Sequence, residues 1–534
     1  MTDSPTDEPR LLVRQVELPP GSDDGLDLSE VLASRLDVDR EDVLSARLLK
    51  RSVDARSRPP VVRANIEARV RAGRRLLDRH RGDPNLVEAP PPKQAPVGHV
   101  RIQGRPIVVG AGPAGLFCAL ALAEKGHAPL LVERGRSVRP RWKDVRRYWR
   151  DGTLDAESNV AFGEGGAGTF SDGKVYTRRN DPRTPFILET LAEAADAPDV
   201  LVDARPHLGT NRLSRALFAL REKLEAAGVE LRFETRLEDV ELDDERRVRS
   251  VTLSGERCET DAVFLACGHS ARDVQDLLVA RGVTLEARPF AVGARIEHRQ
   301  ELINEAMHGQ AEVSEELGAA TYSFAWSRRG LSAHSFCTCP GGEVVAASTE
   351  EGALTVNGMS YSHRLQPFCN TAVVVEVPPE DLPGEGPLVG VEFQRRLERR
   401  AAELGGGAQR APAQGVPDFL AGRKSREMGP TSFRLGLESV ELGELLPERV
   451  VASMQGAIRN FARRVPGYDR EGQLIAVEAR TTSPVRVLRD DATGWSVNTP
   501  GLYPVGEGAG FAGGIVSAAS DGLRSVERIA ERAR

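Results

Sequence analysis

The sequence predicts an α/β protein with a separate α+β module at its N-terminus, and three observations carry that prediction. After residue 105, near-continuous apolar runs such as "PIVVGAG" alternate with helical segments, the pattern of strands buried on both faces. The first 90 residues instead carry strand-like alternation around a segment of helical spacing. A chain of 534 residues exceeds one ordinary core, so two or three domains are expected.

Composition narrows the class. Hydrophobic residues at 40% and charged residues at 28% fit a soluble globular protein, and a formal net charge of -6 gives no whole-molecule attraction to nucleic acid or anionic membrane. The N-terminus "MTDSPTDEPR" lacks the basic and apolar regions of a signal peptide. The least charged long run, Ile107 to Ala123, is 17 residues with three glycines and a proline, which reads as strand, tight turn and buried helix rather than a membrane span. The 6 cysteines, without a secretion signal, are expected as reduced thiols. A cytoplasmic protein is the expectation.

Residues 1–90 read as one small domain. "LLVRQVEL", "VLSARLLKRSV" and "PPVVRANIEARV" have strand character, and "LDLSEVLASRL" has helical spacing with Asp27 or Ser29 as cap. The order strand, helix, strand, strand, helix suggests a ferredoxin-like α+β module. Its charge is split, with 4 basic and 12 acidic side chains over residues 1–42 and 12 basic and 3 acidic over 43–81. The basic half has no aromatic residue on which a base would stack, so a solvated face or domain contact is expected, not nucleic acid. Residues 91–104 follow as a proline-rich, stiff linker.

From residue 105 to 288 the order is strand ("PIVVGAG"), helix ("GLFCALALAEKG"), strand ("PLLVERG"), then a helix, three short extended segments and an apolar strand ending in Ala266-Cys267-Gly268. Residues 289–470, strand-rich and later helical, read as an inserted antiparallel-sheet domain. Residues 471–534 close with strand, Gly-rich turn and helix, a return to the first sheet.

The pattern G-x-G-x-x-G occurs at Gly110/Gly112/Gly115, at Gly163/Gly165/Gly168 and at Gly508/Gly510/Gly513. A dinucleotide fingerprint needs a strand before it, a helix after it, and an acidic residue about 20 positions on. The first match meets every requirement. Gly110, Ala111, Gly112, Pro113, Ala114 and Gly115 form the turn, and Glu133, beside Arg134, ends the next strand in position to accept both ribose hydroxyls. Its carboxylate would repel a 2′-phosphate. The last match has no strand after it, but its helix N-terminus is an anion or carbonyl site formed by Gly506, Glu507, Gly513, Gly514 and Ile515. The middle match, "FGEGGAGTFSDGK", lacks both flanking elements and reads as a loop, with Gly165, Gly166, Gly168 and Ser171 lying flat against a ligand.

Together "VVGAGPAGL", "FGEGGAGTFSDGK", "FLACGHSARD", "FCTCPGG", "VNGMSYSHR", "EARTTSPVR" and "YPVGEGAGFAGG" closely resemble the bacterial FAD-dependent dehydrogenases. These are relatives of the glutathione-reductase class with an extra N-terminal α/β domain. The resemblance implies FAD bound by a discontinuous Rossmann-like domain. It places the first turn on the pyrophosphate, Glu133 on the ribose, the C-terminal loop on the ribityl and ring, and Ala266 and Gly268 beside the cofactor. Family members mostly lack an assigned substrate.

The expected chemistry is transfer of a hydride or electron pair between FAD and a small organic substrate. No second complete β-α-β unit exists, so NAD(P)H is expected at most as a transient electron donor without a dedicated site. The catalytic candidates are Lys174, Cys337, Cys339 and His363; i and i+2 on a strand share a face, so both thiols of "CTC" can line one pocket. Arg486, shortly before the last Gly loop, is a candidate to neutralise phosphate or reduced flavin. Arg295, Glu297, His298 and Lys424 are further polar candidates, and the basic aromatic stretch 139–150 a candidate to cover adenine or phosphate. No metal site is expected. The alternatives are an RNA-modifying flavoprotein, a non-catalytic flavin-binding interaction protein and a polyprenyl reductase. Oligomeric state is not legible.

Overall fold

The computed structural model describes residues 8–18, 26–54, 61–90, 98–313 and 317–533, and the chain divides into two compact units. Residues 91–97 of the expected linker lie outside the described residues.

The smaller unit is built on the N-terminal residues. Strands Leu11–Leu18, Val43–Asp54, Val61–Val70 and Leu86–Glu88 form one sheet, in the order second, third, first, fourth, with every pair antiparallel. Helix Leu28–Leu36 starts where the Asp27 carboxylate accepts the Ser29 N–H at 2.9 Å, the cap the sequence offers. The fourth strand is an element the sequence pattern did not mark, because three residues are too few to show a period. Leu11, Val13, Ile66 and Val70 are fully buried at the centre of this unit.

In the larger unit, a five-stranded parallel sheet runs in the order Leu502–Pro504, Val263–Leu265, Ile107–Val109, Leu130–Val132, Glu230–Arg232. All residues of the three central strands are buried, which explains their unbroken apolar sequences. Helix Pro113–Glu124 packs against helix Ile515–Val526, so the chain's last helix lies beside the first helix of this unit. The three extended segments after residue 236 form an antiparallel sheet of their own.

A seven-stranded sheet follows, in the order Ala325–Arg328, Leu331–Cys339, Phe368–Val377, Phe290–Arg299, Gln473–Glu478, Ala411–Gly415, Leu437–Ser439. Strand Gln473–Glu478 thus belongs to this sheet rather than to the closing segment, so the expected boundary at residue 470 moves beyond Glu478. The end of the expected linker is likewise no free spacer. The N–H groups of His99 and Val100 donate to the Arg528 carbonyl at 3.0 and 2.7 Å, and those of Gln103 and Gly104 to the Asp261 carboxylate at 2.8 and 3.0 Å. Among the described residues, no helix is long and apolar enough to cross a membrane.

Candidate active-site cleft

One cleft of about 1580 Å³, its solvent-open mouth included, opens within the larger unit. The first βα turn contributes Gly110, Gly112, Pro113 and Ala114, and the adjoining strand end contributes Glu133 and Arg134. Gly110 has φ +105°, and a Cβ there would lie 2.5 Å from the Ala266 carbonyl oxygen, so only glycine makes this turn. Helix Pro113–Glu124 therefore starts at the cleft with its first N–H groups and positive dipole end turned toward it. Ala111 and Gly115 belong to the turn but not to the cleft wall.

Glu133 is buried, and its carboxylate accepts three backbone N–H groups: Ala111 and Gly135 at 2.9 Å and Gly163 at 2.8 Å. A carboxylate has about four acceptor positions, so roughly one remains for a ligand hydroxyl rather than the two expected. Arg134 stacks over Phe162 at 4.2 Å and pairs with Glu157 and Asp273.

The glycine loop after residue 160 is not loose, and Arg141 is the reason. This fully buried guanidinium donates to the carbonyls of Asn159, Glu164, Val160 and Gly166 at 2.6–2.9 Å, and its charge sits 4.8 Å from the Phe170 ring. Burial lowers its pKa to about 10, against the supporting charges of Glu133 and Glu164. Gly163 is required there, because an added Cβ would come within 2.3 Å of the Arg141 side chain. The basic aromatic stretch is corrected accordingly. Trp142 donates to Ser214 Oγ, Trp149 to the Ala346 carbonyl and Tyr148 to Gln409, so the helix Val138–Asp151 is bound into the fold by the residues expected to cover adenine. Gly166, Gly168 and Ser171 of the loop line the cleft, whereas Gly165 faces an apolar void behind it.

From the C-terminal turn, Glu507, Gly514 and Ile515 reach the cleft, while Gly506 and Gly513 do not. Gly506 donates its N–H to Asp521 at 2.8 Å, and Asp521 is paired with Arg489 at 3.0 Å. Arg486 is corrected from a cofactor contact to a brace: it lies outside the cleft wall and donates to the Gly510 carbonyl at 3.2 and 3.3 Å. Ala266, Cys267, Gly268 and His269 close the wall at the neighbouring strand end.

His269 and Glu507, both in the wall, stand 3.6 Å apart. Burial pushes the Glu507 carboxyl up to about 7. Burial first, then the charges of Arg480 and Arg272, takes His269 down to about 4. At neutral pH the pair is a neutral imidazole beside a half-protonated carboxyl, not an ion pair, and such a carboxyl can give or take a proton. The sequence did not single out His269, since nothing near it in the chain announces Glu507.

The remaining wall holds Asp172, Lys174, Phe336, Cys337, Asn357 and Glu478. Asp172 is 1% exposed and accepts from Ser360 and from Arg364, with Lys174 Nζ 3.5 Å away. Burial raises its pKa, but the Arg364 and Lys174 charges outweigh that and hold it below the usual value. The two thiols do not share the cleft. The pairing of strand Leu331–Cys339 with Phe368–Val377 slips between Phe336 and Cys339, and Cys337 takes a left-handed φ of +52°. Alternation is broken there, so Cys337 faces the cleft while Cys339 is buried with its thiol 3.8 Å from Arg295. Burial pushes the Cys339 thiol up to about 12, which leaves it inert.

The five other polar candidates lie outside the cleft wall. His363 is exposed, outside the cleft, its Nδ1 accepting the Leu365 N–H at 3.3 Å, so its expected catalytic place is corrected. Arg295 is fully buried against Glu478, and Glu297 against Ser432 and Gln473. His298 bonds the Tyr468 carbonyl at 3.0 Å, and Lys424 is exposed.

Three family models match parts of the chain. Residues 289–481 match the C-terminal domain of FAD-dependent proteins, residues 108–168 an NAD(P)-binding Rossmann-like domain, and residues 11–70 a domain of unknown function. An uncharacterised protein of Clostridium beijerinckii is 42% identical over 520 residues, covering 96% of this chain and 97% of the relative. Solved structures with a likeness include the flavin-dependent halogenase CmlS, at 14% identity, 80% and 59% coverage and a TM-score of 0.38. The amino acid oxidase NikD follows at 13% identity, 79% and 93% coverage and a TM-score of 0.35. Neither score is high enough to carry a function across.

The cofactor is FAD, and the cleft fits it. The pyrophosphate has a helix N-terminus, a ribose hydroxyl has the free acceptor position of Glu133, and a Cβ added at Gly268 or Gly514 would meet nothing within 4 Å, so the wall is open there. The chain therefore belongs, with its clostridial relative, to a family of FAD-dependent flavoproteins.

Proposed function

We propose that the protein is an FAD-dependent oxidoreductase acting on an organic substrate bound between the cofactor and the wall formed by Phe336, Cys337, Asn357 and Glu478. The observation that carries this reading is the continuity of the cleft, which joins the nucleotide turn at Gly110 to that wall without a break. The flavin supplies hydride or electron-pair transfer, which side chains alone cannot perform.

The chain's own residues supply position and protons. Arg141 fixes the glycine loop, Glu133 ties that loop to the first turn, and Glu507 with His269 holds or releases one proton near neutrality. In this reading the five-stranded sheet and the last helix form one cofactor domain interrupted by the seven-stranded substrate domain, and the N-terminal unit is a ferredoxin-like module outside the chemistry.

The test is an anaerobic half-reaction. FAD-loaded protein is mixed with a panel of organic acids, alcohols and amines, and separately reduced with dithionite and offered electron acceptors. Bleaching or reoxidation faster than free flavin supports the proposal. A bound flavin that no donor bleaches and no acceptor reoxidises would make the protein a non-catalytic carrier.

A further inference from the structure

The polar groups of the cleft wall are unevenly spent. Of the wall's carboxylates, Glu478 and Asp172 are already matched. Glu478 takes the Arg295 guanidinium on both oxygens, at 2.6 and 3.2 Å. Asp172 takes Ser360 and Arg364. Arg480, the wall's buried guanidinium, is turned away onto Glu398 at 2.8 and 2.6 Å and Thr349 at 2.6 Å.

The donors are not matched. Lys174 carries three N–H groups; one goes to the Thr338 carbonyl, and Asp172 lies 3.5 Å off. Asn357 Oδ1 accepts from Arg295 Nη2 at 3.0 Å and from the Gly358 N–H at 2.7 Å. Arginine only donates, so this contact fixes which way the amide faces. Its Nδ2, a donor, has no partner among the described residues, and Asn357 is half-buried in the wall. Lys174 and Arg364 share the single counter-charge of Asp172, so these three groups together carry one positive charge in excess.

We propose that the organic substrate is anionic, and that its carboxylate is held by the Lys174 ammonium and the Asn357 amide. This rests on the oxidoreductase reading and gives its substrate a chemical class. A carboxylate there completes the donors that the fold leaves open and neutralises the excess charge in a partly desolvated place, where both matter most. A neutral substrate would leave a half-buried ammonium with one counter-charge shared between two cations.

The test uses FAD-loaded protein, titrated with benzoate and with benzamide, its neutral analogue of nearly the same shape, following the visible spectrum of the bound flavin and the heat of binding. Benzoate is expected to bind at least about tenfold tighter than benzamide. Lys174→Met should lose that margin with FAD still bound, and Lys174→Arg should keep most of it. Equal binding of the two probes, no binding of benzoate at about 10 mM, or an unchanged margin in Lys174→Met would overturn the proposal. If Lys174→Met fails to hold FAD, the benzoate-to-benzamide ratio of the native protein decides alone. Protein that takes up no FAD fails before the titration begins, which marks failure of the oxidoreductase reading instead.

Discussion

The carboxylate of Glu133 accepts the backbone N–H of Gly163 at 2.8 Å, so the acid that closes the first β-α-β unit also holds the glycine loop 30 residues further on. The same carboxylate holds the N–H groups of Ala111 and Gly135. A single buried anion thus links three backbone segments that border the FAD cleft, and its removal reaches beyond ligand contact.

Glu133→Ala is expected to lose FAD affinity and also to destabilise the FAD-free protein by about 3 kcal/mol, because three buried N–H groups lose a charged acceptor. Urea unfolding without FAD checks this. A variant that binds FAD poorly yet unfolds like the native chain would make Glu133 a plain ligand.

Arg141→Met leaves four carbonyls of the glycine loop without their donor. A loss above about 3 kcal/mol is expected, with Arg141→Lys nearly as poor, since one ammonium cannot replace a planar fork. Denaturant unfolding of both variants is the check; a fully stable Lys variant would mean that charge alone matters.

Glu507 sets a pH dependence of definite sign. Its carboxyl titrates near 7 in the fold against an ordinary 4.5, so the folded protein holds a proton that the unfolded chain has released between those values. Its contribution therefore weakens stability as pH rises from about 4.5 to about 7, and is constant above. His269, held near 4 against 6.5, acts in the opposite sense between those two values. Glu507→Gln should gain thermal stability over the native protein progressively through the 4.5-to-7 window; a difference independent of pH would show that the carboxyl does not titrate there.

Cys337 occupies a left-handed backbone position that a non-glycine residue adopts at a cost of about 1 kcal/mol. Cys337→Gly relieves this but adds freedom to the unfolded chain, so the two are expected to cancel within about 0.5 kcal/mol. Cys339→Gly, in the core, should cost well over 1 kcal/mol. Paired urea titrations test the contrast. A large loss in Cys337→Gly would mean that its side chain packs into the fold rather than facing the cleft.

What was legible in the sequence was local. The Gly110 turn and Glu133 stand at a fixed spacing in one β-α-β unit, and hydrophobic runs reveal buried strands directly. Arg141 was hidden because an arginine among five other basic residues reads as surface, and nothing local shows that it turns inward. The Cys337 and Cys339 pair was misjudged for a different reason. Strict alternation assumes a regular strand, and the slip after Phe336 removes it. His269 and Glu507 meet only through the sheet order, which brings strands Val263–Leu265 and Leu502–Pro504 side by side.

The most direct test of the account is the flavin content of the purified chain beside that of Glu133→Ala. The native protein is expected to hold one FAD per chain with a perturbed flavin spectrum, and the variant far less at the same FAD concentration. A colourless native protein that takes up no FAD, or a Glu133→Ala variant that binds it with unaltered affinity, would contradict the assignment of this cleft.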